Sequence, residues 1–491
     1  MKDNKNINNK LKEIPSGHKL KTRRDFLSHG LLSMSASTVM PSVFSMLYSR
    51  LSFAQECGMT ANEMSQAQGL PVIVFDLAGG ANIPGSNVMV GGPGGQSDFL
   101  QTYETLGLPQ DMHPSNPGQL NEDLGLKFHA DSSMLRGIMS NINAQMSAKV
   151  DGGVFATSSS DDTGNNPHNP MYWLANAGAN GKLSALAGTN GNESGGRSMA
   201  PPESINPTLQ PVKIETPQEA LGLVNVGRLD ELFNRDKAEK VLKTIQRLSE
   251  AKLQALSNQS LSDQIKDLVK CGYIQSEELY KENTPELIDP RNDNMVTSVF
   301  NLNDGDERKV GTMAKLLLDG QIGAATVSKG GYDYHNNTRS RGEVADFEAG
   351  SLIGKVMRLA DMKSKNILIY VITDGGVAAR NNSIDNSNNG RGKLAWSGDS
   401  GQRSSTFMLM YNGAGNTRPE LRSGKRQIGW FKESGGVENS ALLTSNSVTN
   451  MVKAVVANYL ALKGEENKLS QVVGNNPFGS NLENYLIFNK L

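Results

Sequence analysis

Four short apolar runs constrain this chain most: "LPVIVFDLAGG" from Leu70, "GGVFATSS" from Gly152, "NILIYVITDGG" from Asn366 and "STFMLMYNGAG" from Ser405. Each is rich in apolar or β-branched residues and bounded by glycine or polar residues, and so reads as a buried strand. Helical patterns lie around them. "GEVADFEAGSLIGKVMRLADM" sets Val344, Phe347, Leu352, Val356 and Leu359 near one face, and "VTNMVKAVVANYLAL" repeats the theme near the C-terminus. Buried strands alternating with amphipathic helices specify an α/β fold, a mostly parallel central sheet with helices on both faces. A chain of 491 residues, 37% hydrophobic and 20% charged, has the composition of a globular protein.

Two stretches interrupt this rhythm. Residues 186–220 are rich in Gly, Asn, Ser and Pro without periodicity, and read as a long loop. Residues 228–295 read as a helical insertion, with Leu229, Leu232, Val241, Leu242, Ile245, Leu248 and Leu253 in a stripe that suits core packing. The remainder of 55–491 is expected to be a single α/β domain.

Residues 1–54 differ in character. They hold nine Lys/Arg against three Asp/Glu, which leaves the body with 40 basic and 47 acidic residues. A mildly acidic body argues against a nucleic-acid partner. Within the head, Arg23 and Arg24 in "TRRDFL" precede a weakly apolar run and a small-residue stretch ending at Ala54. This order is that of a twin-arginine export signal, and it predicts passage through the twin-arginine translocase to the periplasm or beyond. No later segment offers the ~20 apolar residues of a transmembrane helix, so no stable membrane span is expected after cleavage. Cys57 and Cys271 lie in no metal-type cysteine pair, and either a disulfide or two free thiols fits them in an oxidising compartment.

In open α/β sheets, functional groups gather where strands end at the carboxyl edge. Suitable groups here are Asp76 and Asn82 after the first strand, Ser158, Ser159, Asp161, Asp162 and His168 after the second, and Asp374 in "VITDGG". "GGYDYH" adds Asp333 and His335, two apart and thus on one side of an extended backbone, while "WSGDSG" sets Asp399 and Ser400 before the last strand. Asp beside Gly also serves as a cap or turn residue, and His168, flanked by Pro167 and Pro170, also suits a structural turn. The serines at 158–160 are candidate nucleophiles on a run that equally suits plain loop.

The order of these motifs, from about Pro71 to the C-terminus, resembles the domain of unknown function 1501 family, bacterial proteins with twin-arginine signals that look like relatives of the alkaline phosphatase and sulfatase superfamily. The resemblance implies an alkaline-phosphatase-like fold and a metal site of Asp333, His335, Asp374 and Asp399, with Asn82, His168 and Ser400 as accessory groups. Gly330, Gly331, Tyr332, Asp333, Tyr334 and His335 keep that family's motif intact. Elsewhere the match departs: Asn82 replaces an acidic ligand, Val377 stands where an arginine is usual, and Ser400 replaces a histidine. A two-metal hydrolase holds its ions about 4 Å apart on many ligands, so the reduced set implies one divalent ion at most, Mg, Mn, Ca or Zn. Two functions follow as expectations: an exported metal-dependent hydrolase of phosphate or sulfate esters, or a catalytically degenerate relative acting as a binding or scaffold protein in the envelope.

Overall fold

The computed structural model of the chain describes residues 69–160, 162–207, 209–224, 283–333 and 339–491, together with the helical positions Lys237, Lys240, Thr244 and Arg247. The chain divides into two units, Met1–Phe44 with Asn225–Glu278 and Ser45–Val224 with Leu279–Leu491. Apart from those four positions, the described residues belong to the second unit. Arg23, Arg24, Cys57, Asp161, Cys271 and His335 lie outside the described residues, as does most of the expected helical insertion.

The strands are β1 (Val72–Asp76), β2 (Leu120–Asn121), β3 (Phe128–His129), β4 (Val150–Ala156), β5 (Ser184–Gly188), β6 (Val212–Lys213), β7 (Ile322–Ser328), β8 (Asn366–Ile372), β9 (Gly376–Asp385), β10 (Lys393–Ser400), β11 (Ser405–Asn412) and β12 (Gln427–Ile428). The described α-helices are α1 (Ser133–Met139), α2 (Ala144–Ser147), α3 (Met171–Asn176), α4 (Pro217–Leu221), α5 (Pro285–Ile288), α6 (Asn294–Val299), α7 (Gly305–Leu318), α8 (Ser340–Met362), α9 (Val448–Lys463) and α10 (Leu469–Val473).

Eight strands form one sheet in the order β12-β4-β11-β8-β1-β7-β5-β6. Only β11 runs antiparallel to its neighbours, so the carboxyl ends of β1, β4, β5, β7 and β8 share one edge, where β11 begins. The α/β class is therefore as expected, in a layout consistent with that of alkaline phosphatase.

Alternation explains why the strands read as continuous apolar runs. In β1, Ile73 and Phe75 enter one core while Val72 and Val74 enter the other, and β8 divides the same way. Helices α1, α7 and α8 cover the first face; α3, α9 and α10 cover the second. Burying each such side chain is worth about 1.5–3 kcal/mol, and β1, with all five residues buried, is a firm base for the turn that follows it.

Two expectations need correction. The stretch 186–220 is only partly loop: it holds the end of β5, strand β6 and α4, whose Thr216 and Glu219 form a reciprocal capping box. Its polar composition hides an edge of the sheet. On α8, Leu352, Val356 and Leu359 are buried as expected, but Val344 and Phe347 are exposed. The buried face runs instead through Ala345, Ala349, Ile353, Val356 and Ala360, because α8 meets α1 backbone to backbone. A Cβ added at Gly350 would stand 2.0 Å from the Met134 carbonyl oxygen, and one at Gly354 2.5 Å from that of Ile138. Small residues, not large ones, set this crossing.

Candidate functional site

The turn after β1 gathers the site. Gly79 and Gly80 have φ of 125° and 94°, a region where only glycine is at ease. Close packing adds a second reason. A Cβ on Gly79 would lie 3.3 Å from the Tyr332 carbonyl carbon, and one on Gly80 2.8 Å from Asp399 Oδ1. The ends of β1, β8 and β10 and the segment after β7 thus meet at two glycines.

Asp374 locks this turn. Its Oδ1 accepts the backbone N–H of both Gly79 and Gly80 at 2.8 Å, and that of Gly375 at 2.9 Å. The Thr163 hydroxyl donates to its Oδ2, and the Ser159 hydroxyl donates to its main-chain carbonyl. One residue earlier, Thr373 Oγ1 accepts the Ala81 N–H at 2.9 Å. A carboxylate held by three N–H groups and a hydroxyl has much of its charge answered by fixed dipoles.

Asp399 belongs to β10, opposite Val377 on β9, rather than to a loop before β11. This two-stranded ribbon carries register shifts between Leu394 and Trp396 and between Trp396 and Gly398, which turn its end toward Gly80. Ser400 follows it and accepts a long 3.4 Å bond from Arg403 Nη1. Arg403 has no ion-pair partner among the described residues, and burial lowers its pKa. Asp333 is exposed, with its backbone N beside Gly79.

His168 lies close enough to Asp374 to feel its charge. It is fully buried, and neither ring nitrogen has a hydrogen-bond partner among the described residues. Burial pulls its pKa down to about 4, against an opposing pull from the Asp374 charge, so the ring is neutral at pH 7. The neighbouring Asn169 side chain fastens the segment, donating 3.0 Å bonds to the Thr326 hydroxyl and the Ser194 carbonyl. Asn82 has the same character: it is buried, and its amide nitrogen and oxygen are both without partners. Its main-chain carbonyl is held by Asn87 Nδ2 at 2.6 Å.

More polar atoms of this kind line the same edge. The hydroxyls of Thr157, Ser404, Ser405 and Thr444 are buried without partners. Ser405 pairs with Ala156 across β11 and β4, and the Ser158 N–H donates to the Ser445 carbonyl at 2.8 Å, which brings these groups to one end of the sheet.

Other candidates have structural duties. Ser158 Oγ accepts from Gln402 Nε2 at 2.8 Å, and the Ser159 hydroxyl is committed to the Asp374 carbonyl. Asp162 caps a short turn through Gly164 N at 3.0 Å. Asp76, whose pKa burial raises, spends its carboxylate on the N–H groups of Arg197 and Ser198, the Ser198 hydroxyl and the Ala78 N–H. It ties the segment after β5 to the end of β1.

Among the described residues, no three His, Cys, Asp or Glu side chains form a group that could hold a metal ion. Asp333, Asp374 and Asp399 stand around one turn but do not make such a group by themselves. Besides the carboxylates, the edge offers a neutral imidazole, an amide and hydroxyls. Sequence reasoning found Asp374, Asp399, Asn82 and His168, but missed Thr157, Ser404 and Thr444, which carry no signal beyond their place at strand ends. No family model matches the chain, and no curated protein matches it.

Proposed function

We propose that this protein is a catalytically degenerate relative of the alkaline phosphatase and sulfatase type, exported by the twin-arginine translocase, which binds a polar ligand at the carboxyl edge of its sheet as an envelope binding or scaffold protein. One observation carries this reading: the buried His168 ring, with both nitrogens unpartnered among the described residues, within the influence of the Asp374 charge. Each buried polar group left unpaired costs about 1–3 kcal/mol, so a ligand that pairs with the ring would recover stability. The engagement of Asp374 with the Gly79 and Gly80 N–H groups supports binding over metal-centred hydrolysis.

The test is native mass spectrometry of the purified mature protein, with assays of p-nitrophenyl phosphate and p-nitrophenyl sulfate cleavage. The expected result is a retained small molecule lost in His168→Phe, with no turnover of either ester. Turnover that requires a divalent cation would overturn the reading.

A second reading is a hydrolase with one divalent ion on Asp333, His335, Asp374 and Asp399. It is favoured by the close approach of Asp399 and of the Asp333 backbone to the same glycine pair. The ion would polarise an ester oxygen, while the glycine turn and Asp374 would fix the position of Asp399. On this reading, elemental analysis finds one equivalent of metal that is lost in Asp399→Asn.

A further inference from the structure

A cavity of about 730 Å³ opens elsewhere on the second unit, between α4, the α6 C-terminus, the Phe300–Asn303 turn, the start of α7 and Lys355 of α8. That volume lies within the range of small-molecule sites. Its wall combines apolar surface from the partly exposed Leu302 with four charged side chains, Arg291, Glu307, Arg308 and Lys355, while Val299 and Phe300 back it from the core, both buried.

Three of the four charges are already answered. Arg291 lies against Asp289 at 2.6 Å, and Lys355 pairs with Glu307 at 2.5 Å. Glu307 also accepts the Asn301 N–H at 2.7 Å, fixing the turn at the cavity's rim. Arg308 differs. It is half-buried, has no ion-pair partner among the described residues, and its Nε is buried without a hydrogen-bond acceptor. Its backbone is rigidly placed: it sits in the first turn of α7, one turn before Gly311, on which the Phe300 ring packs. A Cβ at Gly311 would stand 2.9 Å from that ring, so the buried Phe300 ring anchors the turn that carries Leu302 against the same helix.

A guanidinium is a planar fork suited to two parallel bonds to a carboxylate, and partial burial strengthens such a pair. Inorganic phosphate would satisfy the charge but leave the apolar wall uncovered. We propose that this cavity binds a small organic acid, its carboxylate on Arg308 and its apolar body against Leu302 at the Phe300–Asn303 turn.

Titration calorimetry of the full chain with benzoate, benzyl alcohol and inorganic phosphate tests this. Benzoate is expected to bind saturably, the other two at least about tenfold more weakly, since a charge-assisted pair contributes about 1.5–3 kcal/mol. Arg308→Gln should weaken benzoate by about tenfold or more without lowering the ligand-free melting temperature. Ser298→Trp, at an exposed position on the cavity wall, should abolish binding while the fold persists. The proposal is overturned if benzoate does not bind the parent chain, if benzyl alcohol or phosphate binds as tightly, or if either variant binds benzoate as the parent does.

Discussion

Replacing Asp346 by asparagine should make this protein more stable at neutral pH, by an amount that grows as pH rises. Asp346 is buried in α8, where its Oδ2 accepts from Asn87 Nδ2 at 2.7 Å and its Oδ1 has no partner. Burial, with Glu343 one turn earlier as a second cause, pushes its pKa up from 3.8 to about 8, against the opposing Arg339 and Lys393 charges. The folded chain therefore holds a proton that the unfolded chain releases near pH 4. The stability carried by that proton is complete below pH 3.8 and declines as pH rises toward 8, by up to about 6 kcal/mol. Asparagine cannot ionise in either state, so Asp346→Asn removes this decline while keeping an acceptor for Asn87. Urea unfolding followed by tryptophan fluorescence, run on both proteins from pH 4.5 to 8.5, measures the difference directly. Comparison at each pH cancels the depressed carboxylates Asp131, Asp293 and Asp361, whose contributions run the other way and are lost in acid. A gap that opens from near zero to about 2–5 kcal/mol supports the argument. A gap that stays constant with pH, or a variant that loses stability faster toward pH 8, refutes it.

Three more outcomes follow from the same contacts. Gly80→Ala should cost about 2–3 kcal/mol, because it combines a φ of 94° with a Cβ 2.8 Å from Asp399 Oδ1. Gly95→Ala, at φ 86° with nothing within 4 Å, should cost only about 1 kcal/mol, and equal losses in thermal melts would remove the packing argument. Arg339→Met should destabilise by about 3–5 kcal/mol in chemical denaturation, since it strips Glu343 of a buried 2.9 Å partner and removes bonds to the Gly107 and Leu394 carbonyls. The Arg23→Lys and Arg24→Lys double variant should accumulate in the cytoplasm on fractionation, and normal export would remove the twin-arginine proposal.

How far the fold could be read from sequence depended on where each residue's neighbours come from. Strands β1, β4, β8 and β11 announce themselves because both faces of each are apolar. Strand β7, "IGAATVS", is equally central but built of small residues that fit beneath α3 and α7, so its hydropathy is modest. The β9–β10 ribbon leaves no clear pattern, because it lies outside the main sheet and tolerates polar residues such as Arg380 and Asp385. The site residues were legible in part for the same reason. Asp374 stood at the end of a recognisable strand and Asp399 just before one, but the acceptor role of Asp374 depends on glycines 294 and 295 positions away. Long-range pairing of that kind leaves no local trace. The unpartnered state of His168 likewise emerges only when the surrounding segments close over it.

In the proposed binding site Asp374 serves as the acceptor that shapes the glycine turn rather than as a metal ligand. Elemental analysis of the native protein beside its Asp374→Asn variant tests this most directly. The binding reading predicts divalent metal well below one equivalent in either protein. One equivalent or more in the native protein, absent from the variant, would contradict it.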